Sequence, residues 1–297
     1  MASFADKGDD MDSSDYEVGR MVILESFLLL REAVNGVADP RAVGLQAIID
    51  PFLLVIRDPE TAGPITRCAL VSIQRFISHG VVDLARGDAV GALLDMTQAV
   101  THCRFEATDA ASDEVVLMQI LNVLGALVLS AGGSDLNDVA VCEIMETVLS
   151  MSCQMRVSEM LRKAAESTLF TLVTFVFGRL GDLQREADGA PATPARFGLP
   201  AIRELYRVLV ALANPRDLQY TDTMRLLALN TLQSAFQRAC YTMAEFPALR
   251  ELTLGDLSHS LLLILQRDQP ALIAPALRVL YLLFASHRRY TKGHLEL

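Results

Sequence analysis

A thiol, an imidazole or a carboxylate does chemistry only when a second such group is held beside it, and this sequence offers few such neighbours. Its five cysteines, Cys68, Cys103, Cys142, Cys153 and Cys240, are scattered, each in an apolar helical context. A zinc site or a disulfide framework needs closely spaced ligands, so each cysteine reads as a small core residue in a reducing compartment. The five histidines, His79, His102, His259, His287 and His294, fall at predicted helix ends or turns with no carboxylate or thiol at ligand spacing. His102-Cys103 is the only adjacent pair. Neighbours in sequence point to different helical faces, so the pair reads as a turn anchored by a histidine hydrogen bond and not as a base with its nucleophile. No P-loop, dinucleotide fingerprint, HExxH or nucleophile elbow occurs. The sequence therefore assigns no catalytic residue, no cofactor site and no metal site.

The elements that would position any site are helices. Between Glu114 and Asp135 no side chain is ionisable, and Val115, Val116, Leu117, Met118, Ile120, Leu121, Val123, Leu124, Leu127, Val128 and Leu129 point in every helical direction. A helix apolar all round must be covered all round, by a bilayer or by other helices. Gln119, Asn122 and Gly125 interrupt the run, its entry carries Asp109, Asp113 and Glu114, and no Trp or Tyr belt flanks it. The expectation is the central inner helix of a helical stack. The 297-residue composition agrees: 52% hydrophobic, 6% aromatic and no Trp, as suits helices that bury two faces each. A net charge of -10 excludes the cationic footprint of a nucleic-acid binder.

Residues 1–20, with Asp6, Asp9, Asp10, Asp12 and Asp15, are expected as a disordered acidic tail. Helical spacing then predicts a first helix over Glu17–Asn35 and a second through Ile56, with Pro51 a kink or a break near its middle. A third is expected over Ile65–His79, with Ile65, Ala69, Ile73, Phe76 and Ile77 as core and Arg67 and Arg75 facing outward. Val90–Thr101 is the fourth, and Thr108, Asp109 and Ser112 are the candidate N-caps of the fifth. A sixth begins at Asn137-Asp138 and a seventh runs from Val157 to Leu180. Met145, Met151, Met155 and Met160 read as gap-filling core, with a soft docking groove as the alternative. The composition of Gly181–Arg196 marks a linker. Further helices open at Pro200 and after Thr221, and then cover Leu257–Leu265 and Ala271–Ser286. The basic end, His287, Arg288, Arg289 and Lys292, would complement a helix C-terminus. With no strand alternation and no strict period, the predicted fold is all-α, an armadillo- or HEAT-like right-handed superhelix.

Several strings carry a resemblance. They are Ala99–Phe105, Thr108-Asp109 and Ala111–Met118 around the central turn, and Phe52–Arg57 with Thr61–Ile65 before it. Val141–Met145, Met155–Glu166, Gly198–Leu205 and Leu277–Phe284 follow in order. Together, from about Ile23 to Leu297 without the linker, they resemble the N-terminal region of the large Arf guanine-nucleotide exchange factors, in particular the Golgi type of the Gea, GNOM and brefeldin-resistance group. The resemblance implies a DCB (dimerisation and cyclophilin-binding) domain over 21–180, a linker over 181–196 and the start of the HUS domain over 197–297. It implies a non-catalytic regulatory and dimerisation module that controls membrane recruitment and activity of a downstream Sec-seven exchange domain. The implied partners are a second copy, the HUS and Sec-seven regions of the same protein, and Arf- or Rab-type small GTPases. The implied location is cytoplasmic, peripherally at Golgi membranes. The family's self-association surface would fall on Arg75 and Glu114.

The chain departs from the family in places. The acidic tail replaces the usual opening helix, and the linker is short. Phe197-Gly198-Leu199-Pro200 echoes the family's catalytic loop, but Gly198 stands for its arginine and Ala201-Ile202 for its glycine and glutamate, so the nucleotide-expelling acid is missing. The alternative function is a helical-repeat scaffold that binds a small GTPase or coat component directly.

Overall fold

The computed structural model describes residues 13–86, 89–107, 109–187, 196–267 and 269–290. The expected tail through residue 12, the candidate cap Thr108, the linker stretch 188–195 and the basic residue Lys292 with His294 lie outside them. Among the described residues the chain is helical with no strand, apart from an isolated parallel bridge between Ala62 and Glu106.

The helices are α1 (Ser13–Asn35), α2 (Leu45–Arg57), α3 (Gly63–Ser78), α4 (Val90–Thr101), α5 (Ala110–Leu129), α6 (Asp138–Cys153) and α7 (Glu159–Gly178). They continue as α8 (Leu180–Ala187), α9 (Leu199–Ala213), α10 (Asp222–Ala239), α11 (Pro247–Leu252), α12 (Ser258–Leu265) and α13 (Pro270–Ser286). Their starts follow the local chemistry. Asp109 caps α5 by accepting the Ala111 and Ser112 N–H groups at 3.1 and 3.0 Å. Asn137, Ser158 and Thr221 do the same for α6, α7 and α10. Pro64 and Pro200 sit in first turns, where a missing N–H is harmless. Pro51 does not break α2, which runs through it.

Successive pairs α2/α3, α4/α5, α6/α7, α9/α10 and α12/α13 pack against each other, and the second members form one continuous layer, α3–α5–α7–α10–α13. On the other side α2, α4, α6 and α9 adjoin in turn. This is the expected all-α helical-repeat stack. Within it α5 lies between α3 and α7 and also touches α4, so neighbouring helices cover the charge-free run. Val116, Ile120, Leu121, Val123, Leu124, Leu127 and Val128 are buried, and the open edge holds Val115, Asn122 and Leu129.

Some expectations are corrected. α1 begins at Ser13, inside the stretch expected as tail, and α8 occupies Gly181–Ala187 of the expected linker. α11 and the π-helical turn Thr253–Leu257 that joins it to α12 went unpredicted. Ile65 is 57% exposed and not core, and Met155 and Met160 stand in the open while Met145 and Met151 are buried. The differences at Ile65, Met155 and Met160 share a cause: periodicity shows that a face is apolar, whereas burial depends on whether a neighbour reaches it.

The two halves share one hydrophobic core, which runs from Ile48 to Leu283. At the junction, Phe197 N–H donates to the Leu136 carbonyl at 2.7 Å, and Arg196 Nε pairs with Asp135 Oδ1 at 2.9 Å. Asp138, in the first turn of α6, accepts N–H bonds from Gly198 at 2.8 Å and Ala201 at 3.3 Å. One carboxylate thereby serves the positive ends of α6 and α9 together. The Phe197 ring is buried beside Phe175, centroids 5.8 Å apart.

Candidate functional site

The residues quoted around the central turn form one corner. Thr61 accepts the Glu106 N–H at 3.1 Å, which ties the α2–α3 turn to the α4–α5 turn. Gly63 is buried, and a methyl group there would meet the Phe105 ring and Val116 at 3.4 Å. Phe27, Phe52 and Phe76 continue the packing edge to face, with centroids 5.1 and 5.2 Å apart. Two motifs separated in sequence are thus one packed unit.

On this frame Arg75 sits exposed in the last turn of α3, its carbonyl accepting both the N–H and the Nδ1 of His79 at 2.9 Å. Glu114 is half-buried near the start of α5, where Oε1 accepts the Ser158 N–H at 2.5 Å. Its charge lies at the N-terminus of α7, where the helix dipole favours an anion. The two residues occupy adjacent helices but do not pair with each other among the described residues. The seam between their helices is tied instead by buried Gln119, whose Nε2 donates to Gln74 Oε1 at 2.7 Å. Sequence reading missed this amide pair and the reach of Glu114 to Ser158, because both span more than 40 residues. Ser158 did carry the signature of an N-cap, which would have placed the start of α7 correctly.

The reactive groups are held apart. His102 is exposed at the end of α4, with Nδ1 3.1 Å from the Gln98 carbonyl, the hydrogen-bonded turn expected for it. Cys103 is half-buried, and burial pushes its thiol up to about 12. Burial likewise raises the Cys142, Cys153 and Cys240 thiols, so none of these is poised as a thiolate.

His287 corrects the reading of the C-terminal cations. It is fully buried, 2.7 Å from Ser286 Oγ through Nδ1 and edge-on to Phe236, and its Nε2 has no hydrogen-bond partner. Burial holds its pKa below the ordinary value; a hydrogen bond to the Leu283 backbone partly opposes this and the Arg250 charge adds to it. The folded protein keeps the ring neutral while an unfolded histidine protonates below about pH 6.5. The unfolded state then binds more protons, so stability falls as pH drops through that window toward the lowered folded value. Urea unfolding at pH 7.5 and 5.5 should show a larger loss for the wild type than for His287→Phe. Equal losses would show that the ring is not held neutral.

No family model matches the chain. An uncharacterized protein of Schizosaccharomyces pombe is 28% identical over 288 residues, 88% of this chain and 20% of that protein. The Golgi-specific brefeldin A-resistance guanine nucleotide exchange factor 1 homolog of Caenorhabditis elegans is 38% identical over 159 residues, 53% of this chain and 8% of its own length. ARF guanine-nucleotide exchange factor 2 of Saccharomyces cerevisiae is 32% identical over 161 residues, 54% of this chain and 11% of its own. The chain is a homologue of the Arf guanine-nucleotide exchange factors. It spans between 8% and 20% of the length of these three relatives. The stretch 197–202 packs at the start of α9: Phe197, Ala201 and Ile202 are buried, and Gly198 is the N-cap of α9.

Proposed function

We propose that this chain is the non-catalytic regulatory and dimerisation module of a Golgi Arf guanine-nucleotide exchange factor. Residues 21–180 act as the DCB domain and 197–297 as the first part of HUS. The observation that carries the reading is the 38% identity to a Golgi-specific exchange factor over half of a chain whose echo of a catalytic loop lacks the acid, with Ala201 and Ile202 buried in its place. The module positions and regulates an exchange domain that lies elsewhere in the protein, at the cytoplasmic face of Golgi membranes. It self-associates through the α3–α5 edge, where exposed Arg75 of one copy meets Glu114 of the other.

Multi-angle light scattering tests this reading, with the wild type expected as a dimer. Arg75→Glu should give a monomer at the same concentration, since breaking a desolvated interfacial ion pair costs about 2–5 kcal/mol. Glu114→Gln keeps an oxygen for the Ser158 N–H while removing the charge, and should weaken the dimer without loosening α7. A wild-type monomer, or an Arg75→Glu dimer of undiminished affinity, rejects the assignment.

A further inference from the structure

α1 carries more apolar surface than α2 can cover. Ile23, Phe27 and Leu30 pack inward, yet Met21, Leu24 and Leu28, at helical spacing on a neighbouring face, stay 70%, 62% and 42% exposed. Ile65, the exposed apolar residue of the first turn of α3, lies across from Met21 and Leu24 in a cleft of about 460 Å³. Single exposed apolar residues are ordinary, but a contiguous apolar stripe facing a cleft marks an interaction site. The rim of the cleft is acidic. Asp58, Glu60 and Glu106 line it, against Arg20. Asp58 is engaged locally by the Glu60 N–H and the Thr61 hydroxyl, whereas the Glu60 and Glu106 side chains are exposed and bonded to no side chain among the described residues. An apolar floor of Met21, Leu24, Phe27 and Ile65 between carboxylates is the complement of a helix with an apolar stripe at helical spacing and cations on its flanks.

We infer that the α1–α3 cleft is a docking groove for a basic amphipathic helix of a partner protein. Charge decides among the occupants. A second copy would bring two acidic rims together, and an anionic membrane surface would repel the same carboxylates. The chain's own first residues carry Asp6, Asp9, Asp10 and Asp12 against Lys7, so they too are the wrong sign. The inference is independent of the regulatory reading above, because it uses neither Arg75 nor Glu114.

The test is fluorescence anisotropy on the full chain with two labelled helical peptides of identical leucine spacing, one flanked by lysines and one by glutamates. The lysine peptide should bind, more weakly as salt is raised. Its Kd should rise about tenfold or more with Leu24→Asp, with Ile65→Asp and with the pair Glu60→Lys and Glu106→Lys. All these positions are exposed, so the circular-dichroism unfolding curve should stay in place. Asp256→Lys, an exposed carboxylate on another part of the stack, should leave the Kd unchanged. Equal binding of the two peptides, or the same Kd in all variants, would overturn the proposal. So would a halved solution mass for Leu24→Asp, which would make the occupant a second copy, or co-sedimentation of the chain alone with phosphatidylserine vesicles that Leu24→Asp abolishes.

Discussion

Phe197→Ala should destabilise the whole chain by about 3–5 kcal/mol, the usual cost of emptying a closed aromatic site. The ring is 1% exposed and sits beside Phe175, between the corner that precedes α6 and the first turn of α9. Its backbone is fixed as well, through the Leu136 carbonyl, so the neighbours cannot simply close over the gap. Asp138→Ala removes the acceptor of the Gly198 and Ala201 N–H groups from the same junction and should cost about 1–3 kcal/mol. The two losses should not add, because both act on one clip. Since the core is continuous from Ile48 to Leu283, the expected readout is one urea transition displaced to lower denaturant, not a second transition for residues after 196. A loss below about 1 kcal/mol for Phe197→Ala would mean that the clip does not hold the halves together.

Gly133→Ala should be nearly as costly, about 3 kcal/mol or more, for a purely steric reason. A Cβ there would lie 1.9 Å from the Val128 carbonyl oxygen and 2.7 Å from its carbon. These are backbone atoms at the end of α5, so no side chain can swing aside, and the last turn of the central helix must open. Its neighbour Gly132 is under similar constraint, with a Cβ 2.5 Å from the Leu84 carbonyl oxygen. Gly125→Ala is the matched control. On the same helix its Cβ would meet only Thr168, at 4.0 Å, so the substitution should be neutral or stabilising by up to about 1 kcal/mol. Thermal and urea unfolding of the two variants checks the contrast. Equal stability of Gly125→Ala and Gly133→Ala would refute it.

Much of the fold was legible because helices are written locally. The charge-free run of α5, the caps Asp109, Asn137 and Thr221 and the proline start at Pro200 each act within a few residues, and the structure keeps them. The candidate site was legible in part. Exposure of Arg75 followed from its polar stripe, while the engagement of Glu114 by Ser158 depends on the packing of α5 against α7.

The sequence by itself determined that the chain is helical, where most of its longer helices lie, and which family its strings resemble. Only the tertiary structure decided which apolar faces are covered. It buried His287, left Ile65, Met155, Met160 and the Met21–Leu28 stripe open, and made the two expected domains one core through Asp138 and Phe197. The physical reason is range. Helical period and capping depend on residues three or four apart. Burial and charge pairing depend on which elements meet, here across 44 residues for Glu114 with Ser158 and 60 for Asp138 with Gly198.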